Sequence, residues 1–103
     1  RLTAAGAVDD ERFALARARS LADRGAGNSL VRHDLEQRGL APETVAAAIA
    51  ALDPEHVRAA RICARRGNGP KTASYLARKG FSEDAIESAY ADAVADHDTR
   101  VVR

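Results

Sequence analysis

The chain has 103 residues, 46% of them hydrophobic but only 4% aromatic, with no Trp or Met. That is enough for one ordinary domain, or for two small modules of roughly 45 residues that gain by packing together. The formal net charge is only +1 and Cys63 is the single cysteine, which excludes an intrachain disulfide; with no stretch resembling a secretion signal or a membrane span, the simplest location is the cytoplasm. Frequent alanine favours helix throughout, with a core made by close helix contacts rather than large side chains.

Glycine and proline punctuate six predicted helices after a short lead-in. Arg1 to Ala5 reads as the last turn of an earlier helix stopped by Gly6, as in a piece cut from a longer chain that also lacks an initiator Met. The first full helix is expected from Asp9 or Asp10, suited to an N-cap or first turn, to Arg24 before Gly25. The second runs from Ser29, a good N-cap, to Arg38, and Gly39 fits the left-handed position that ends helices. Pro42 opens the third at N1, where Val45, Ala48, Ile49 and Leu52 form an apolar stripe. Asp53-Pro54 repeats the N-cap and N1 pattern for the fourth, which ends at Gly67. Pro70 opens the fifth and Gly80 closes it; Ser82 caps the sixth, with Ile86, Ala89, Tyr90 and Ala93 as its stripe.

These elements form an internal repeat. Gly25 and Gly27 recur as Gly67 and Gly69, 42 positions on, and Gly39 recurs as Gly80, 41 positions on, so one indel separates the copies. The predicted fold is therefore all-α, with tandem three-helix repeats forming an elongated, curved array. Residues 1–8 close a preceding repeat, 9–52 and 53–98 form one repeat each, and 99–103 are a C-terminal tail. Two units joined by only Asp53-Pro54 must touch, which predicts a fixed geometry between them. An array of this kind argues for an extended binding surface before it argues for an active site.

The polar residues agree. His33, His56 and His97 lie on different helices with no ligand set at metal spacing, and no nucleophile motif or phosphate-cradling loop is present. The chain therefore reads as a non-enzyme with no cofactor, metal or small-molecule substrate. Gly25-Ala26-Gly27 and Gly67-Asn68-Gly69 read as turns rather than phosphate nests, and Cys63 reads as a buried packing residue. The charge is uneven: residues 58–79 carry seven basic groups and no acid, and residues 83–98 carry six acids and no base. Arg24, Arg38, Arg65, Arg66, Arg78 and Lys79 precede terminating glycines, where a cation complements the helix dipole. Arg58, Arg61 and Lys71 have no such explanation, and Lys71 stands against the dipole. Arg58, Arg61 and Arg65 form one stripe, and Lys71, Tyr75 and Arg78 another. Such stripes meet phosphates and bases or acidic side chains. Arg17 and Arg32 are weaker candidates, diluted by Asp34 and Glu36.

Val8-Asp-Asp-Glu-Arg-Phe13-Ala, then Arg19, Gly25-Ala-Gly27 and Leu35-Glu-Gln-Arg-Gly-Leu40 resemble the second repeat of the RecX family of bacterial recombination regulators. Leu76-Ala-Arg-Lys-Gly-Phe-Ser82 with Ile86 resembles its third repeat, and Arg1-Leu-Thr-Ala-Ala-Gly6 the end of its first. The resemblance implies a negative regulator of RecA that lies in the groove of the RecA filament on single-stranded DNA. There it impedes the ATPase, strand exchange and LexA self-cleavage, with roles in DNA repair and the SOS response. The expected partners are the RecA nucleoprotein filament and single-stranded DNA, with no membrane. On the charge sorting, the contact residues are Arg58, Arg61, Arg65, Lys71, Arg78, Arg17 and Arg32. Ala41 departs from the pattern where Ser82 caps the second unit, at a cost of roughly 1 kcal/mol to the third helix.

A helix-turn-helix type of nucleic-acid-binding module is the alternative. It needs base-edge readers at one helix N-terminus, where Asn28 and Ser29 offer little. Lys79-Gly-Phe-Ser-Glu83 with Ala85 and Ile86 also resembles the ubiquitin-associated domain, a reading that the duplicated unit and its basic stripe disfavour.

Overall fold

The computed structural model describes residues 4–102, with side chains from Val8 to Asp92; Arg1 to Thr3 of the expected lead-in lie outside the described residues. Six helices follow in order, α1 Ala4–Asp23, α2 Asn28–Gln37, α3 Pro42–Ala50, α4 Glu55–Arg66, α5 Pro70–Arg78 and α6 Glu83–Val102, with no strand among the described residues. The all-α repeat array expected from the sequence is the observed architecture.

Three helix ends show how the glycines work. At Gly25, Gly39 and Gly80, φ lies between +81° and +93°, and the next residue reaches back five positions: Ala26 N–H to the Leu21 carbonyl, Leu40 to Leu35, and Phe81 to Leu76. This Schellman arrangement satisfies carbonyls that a helix end otherwise leaves unpaired. Pro42 and Pro70 open α3 and α5 as expected. The Ser82 hydroxyl accepts the Ala85 N–H at 3.1 Å, capping α6, whereas Ala41 makes no side-chain cap.

Three expected boundaries are corrected. The stop at Gly6 and the start at Asp9 or Asp10 both fall inside α1. A helical glycine costs about 1 kcal/mol relative to alanine, and Ala4, Ala5 and Ala7 around it are the strongest helix formers; Asp10 is buried instead of capping. Ser29 is not the N-cap of α2. Gly27 is, and the Ser29 N–H donates to the Gly80 carbonyl at 3.1 Å, a partner from another helical hairpin. Pro54 takes the N-cap of α4 rather than N1, and the Asp53 carboxylate pairs with Arg61 at 2.8 Å.

Each trio of helices has its own core. Ala14, Ala18, Val31, Leu35, Leu40, Val45, Ala48 and Ile49 form one cluster, with Leu21 and Leu52 against it. Ala59, Ile62, Cys63, Leu76, Phe81 and Ala89 form the other, with Tyr75, Ile86 and Tyr90 partly buried on it. Leu35 and Leu76 are fully buried and occupy equivalent positions in the two short helices. The trios stack into an elongated body of 59 × 24 × 19 Å with a radius of gyration of 16.1 Å, against about 13 Å for a compact domain of this length.

The seam between the trios is polar and close. Gly27 N–H donates to the Lys79 carbonyl at 2.7 Å, and a Cβ on Gly27 would stand 2.5 Å from the Gly80 carbonyl carbon and the Phe81 nitrogen. Glu55 completes it, accepting the Asn28 N–H at 2.7 Å through Oε2 and the Ser82 hydroxyl at 3.0 Å through Oε1.

Candidate functional site

The seven basic residues singled out by sequence fall into three environments. Arg58 is the main correction. It is only 7% exposed and belongs to the seam rather than to a free binding surface. Its Nε donates to the Asp53 carbonyl at 2.9 Å and its Nη1 to the Ala26 carbonyl at 2.8 Å. Its Nη2 meets Asn28 Oδ1, and its guanidinium lies 5.9 Å from the Phe81 ring centroid. Burial lowers its pKa from the ordinary arginine value, with the charges of Glu55 and Asp53 opposing. The helical stripe placed Arg58 beside Arg61, but the α1–α2 loop covers it, and no local periodicity reports that cover.

Arg17 is also committed within the fold. Its Nε and Nη2 hold the two Asp34 oxygens at 3.0 and 2.9 Å, and Arg38 Nε reaches Asp34 Oδ1 at 2.9 Å. Bidentate guanidinium–carboxylate geometry is the strong form of this contact. Arg17, with Arg38 beside it, holds the Asp34 carboxyl well below the usual carboxylate range. Its folded pKa lies below the unfolded value of about 3.9, so the stabilisation is complete above about pH 4 and is lost as the pH falls through the folded value. Asp34→Asn is therefore expected to lower the melting temperature at pH 7 and to lower it by a smaller amount at pH 2. Parallel melting curves that keep the same separation at both pH values would refute this.

Arg61 and Arg65 are exposed and come together with a residue the sequence sorting missed. A cleft of about 410 Å³ opens between the end of α1, the α3–α4 link and α4; Arg19, Arg61 and Arg65 line it, with Arg58 and Ile62 behind them and Asp23 and Asp53 on its walls. Arg19 and Arg61 are equivalent in the repeat, so the signal for Arg19 was present in the 42-residue offset. Arg61 pairs with Asp53, but both side chains are 58% exposed, and exposed pairs contribute only about 0–1 kcal/mol. An incoming carboxylate or phosphate can therefore compete for Arg61 at small cost.

Lys71 and Arg78 are exposed on α5, and Arg32 is exposed on α2. Tyr75, between Lys71 and Arg78, is half-buried with the Arg66 guanidinium 3.8 Å from its ring centroid. One face of its ring is thus already used, leaving less of it to stack on a base. His33 and His56 are exposed, and His97 lies outside the described side chains. Cys63 is buried, and burial raises its thiol pKa, in keeping with a packing role. Among the described residues no group of His, Cys, Asp or Glu is placed to hold a metal, and no helix is long and apolar enough to cross a membrane. Arg19, Arg61, Arg65, Lys71, Arg78 and Arg32 are thus exposed cations on the described surface.

The comparisons with known proteins agree with this architecture. The family description "RecX, second three-helix domain" matches residues 9–49. Proteins named "Regulatory protein RecX" are similar along most of the chain. That of Xanthomonas axonopodis pv. citri (strain 306) is 38% identical over 99 residues, covering 86% of this chain and 61% of the relative. That of Xanthomonas oryzae pv. oryzae (strain MAFF 311018) is 36% identical, covering 86% and 62%. That of Stenotrophomonas maltophilia (strain R551-3) is 38% identical, covering 86% and 61%. The chain thus spans about 61% of the length of the curated relatives it matches. No solved structure matches significantly. With its two stacked three-helix units and these relatives, the chain belongs to the RecX family of regulatory proteins.

Proposed function

We propose that the chain binds a RecA nucleoprotein filament and restrains it, lowering its ATPase, strand exchange and stimulation of LexA cleavage in the bacterial cytoplasm. The observation that carries the reading is the basic cleft, in which Arg19 and Arg61, one from each unit, face the same opening with Arg65. Lys71 and Arg78 extend the positive surface along α5. A body 59 Å long, held rigid at its seam, suits contact with neighbouring protomers along a polymer better than capture of a small ligand. Arg58 contributes by fixing the angle at which the two units present their arginines, and Arg17 by holding α1 to α2.

The helix-turn-helix alternative gains no support from the geometry. The first amides of α2 are already engaged, those of Gly27 and Ser29 by the Lys79 and Gly80 carbonyls and that of Asn28 by Glu55 of α4, so they are not free to meet a nucleic-acid backbone. The N-terminus of α5 offers Pro70, Lys71 and Thr72, of which Thr72 is buried.

The test is RecA ATPase activity on single-stranded DNA, titrated with this chain. Inhibition is expected, and Arg61→Glu with Arg65→Glu should raise the half-inhibitory concentration at least about tenfold, the effect of losing two charge-assisted contacts. Glu43→Lys, away from the cleft, should leave it within about twofold. Equal effects from the two changes would remove the cleft from the interface. Tight binding of a bare DNA duplex without any effect on RecA would favour the nucleic-acid module.

A further inference from the structure

The cleft between the units is built by their joint: all of its lining residues fall between Arg19 and Arg65, with Arg19 and Asp23 on α1, Asp53 on the α3–α4 link, and Arg61 and Arg65 on α4. Its charges are nearly balanced. Arg58 is spent on the Asp53 and Ala26 carbonyls and on Asn28, which leaves Arg19, Arg61 and Arg65 beside Asp23 and Asp53. A nucleic-acid strand carries a charge on every nucleotide and binds where many phosphates are neutralised together; in this cleft it would run past two carboxylates of like sign. A side-chain carboxylate brings a single charge and two oxygens that suit a guanidinium fork. The structure holds an example, the Asp53 carboxylate on Arg61 Nη1 at 2.8 Å.

Apart from Gly25, the rest of the lining is aliphatic: Ala22, Ala51, Leu52 and Ile62. No aromatic ring lines the cleft among the described residues, whereas grooves that hold single-stranded nucleic acid stack bases on aromatic faces. Tyr75 comes near at Gly25, where its hydroxyl would stand 3.5 Å from an added Cβ, but one face of its ring is covered by the Arg66 guanidinium at 3.8 Å. The volume of about 410 Å³ lies toward the small end of the roughly 300–1,000 Å³ typical of ligand pockets, room for a few side chains rather than a run of nucleotides. Arginines, an aliphatic floor and a resident carboxylate together describe a seat for acidic and aliphatic side chains.

We propose that the cleft takes an acidic segment of a partner protein, with Asp or Glu carboxylates on Arg19, Arg61 and Arg65 and an aliphatic side chain against Ala22, Ala51 and Leu52, and that Asp53 is the internal competitor this segment displaces from Arg61. The inference rests on the reading of the cleft as the contact surface and narrows what fills it to protein rather than nucleic acid. The test is an NMR titration of the isotope-labelled chain, followed through its arginine Nε–H signals. The probes are a short peptide of repeated Glu-Leu-Glu-Gly units and an oligothymidylate of the same net charge. The peptide should move the Arg19, Arg61 and Arg65 signals to saturation, and the oligothymidylate should leave them in place. Asp53→Asn keeps the backbone carbonyl that Arg58 uses and should tighten peptide binding about two- to fivefold, the equivalent of one exposed ion pair. Arg61→Glu should weaken it at least about tenfold. Cleft signals that ignore the peptide, cleft signals that follow the oligothymidylate as closely as the peptide, or an Asp53→Asn chain that binds the peptide no better than wild type would each overturn the proposal. The titration contains no RecA, so its result separates from the ATPase assay. Peptide binding at the cleft without inhibition of RecA keeps the cleft chemistry and removes that partner, whereas Arg61-dependent inhibition without peptide binding keeps the partner and overturns the chemistry.

Discussion

Arg58→Ala is expected to cost about 3–5 kcal/mol of unfolding free energy, the range for stripping one member from a buried charged network, and to flatten the urea transition. Three acceptors, the Asp53 and Ala26 carbonyls and Asn28 Oδ1, lose their donor together, while Glu55 keeps its negative charge with one fewer cation near it. Domains of this size have only about 5–15 kcal/mol in total, so the loss is a large fraction. A fall in the urea slope m accompanies it, because units that no longer unfold together expose less surface per transition. Arg58→Lys should recover little, since a single ammonium cannot reproduce the three directions of the guanidinium fork. A midpoint and slope within error of wild type for Arg58→Ala would return Arg58 to the list of surface contacts.

Gly27→Ala should have a comparable effect for a steric reason. Its Cβ would sit 2.5 Å from the Gly80 carbonyl carbon and the Phe81 nitrogen, and 2.6 Å from the Gly80 oxygen. All three are backbone atoms on a turn held by its own hydrogen bonds, so the overlap is relieved only by parting the units. Overpacking of this kind costs about 1–3 kcal/mol, and parting the units adds the Gly27–Lys79 and Ser29–Gly80 hydrogen bonds, roughly 1 kcal/mol each. A total of about 3–5 kcal/mol is expected. The matched control is Gly69→Ala, at the equivalent position, with the same backbone angles and open space around it; its stability should stay within about 1 kcal/mol of wild type. Urea titration of the two variants side by side checks both values, and similar losses would mean that the glycines serve their own loops rather than the seam.

The features that were legible in the sequence are those written locally. Gly25, Gly39 and Gly80 end helices by the same three-residue device, and Pro42 and Pro70 mark starts, so the order of helices and their duplication follow from spacing. The stripe of Val45, Ala48 and Ile49 faced the core as its periodicity required. What was hidden depends on residues far apart in the chain. Arg58 reads as an exposed cation until the loop at Ala26 to Asn28, about thirty positions earlier, is folded over it. Ser29 reads as an N-cap because a serine before an apolar run usually is one, yet its amide is claimed by Gly80. Gly6 reads as a stop because local propensity weighs one glycine and not the alanines that carry the helix through it. For the cleft, Arg61 and Arg65 were found by their spacing. Arg19 was passed over because charges were sorted within each unit, although the repeat places it opposite Arg61.

The two units keep separate apolar clusters and are joined by a seam rich in hydrogen bonds. In the language of one-dimensional cooperative systems, the chain is a pair of sites with a coupling energy between them, and that coupling is concentrated in a handful of directional bonds. Apolar contact tolerates sliding, whereas hydrogen bonds between carbonyls and amides fix rotation and register as well as distance. The seam therefore acts as a joint with one permitted angle, and a sequence can retune the curvature of the whole array by changing the seam alone while each core stays as it is.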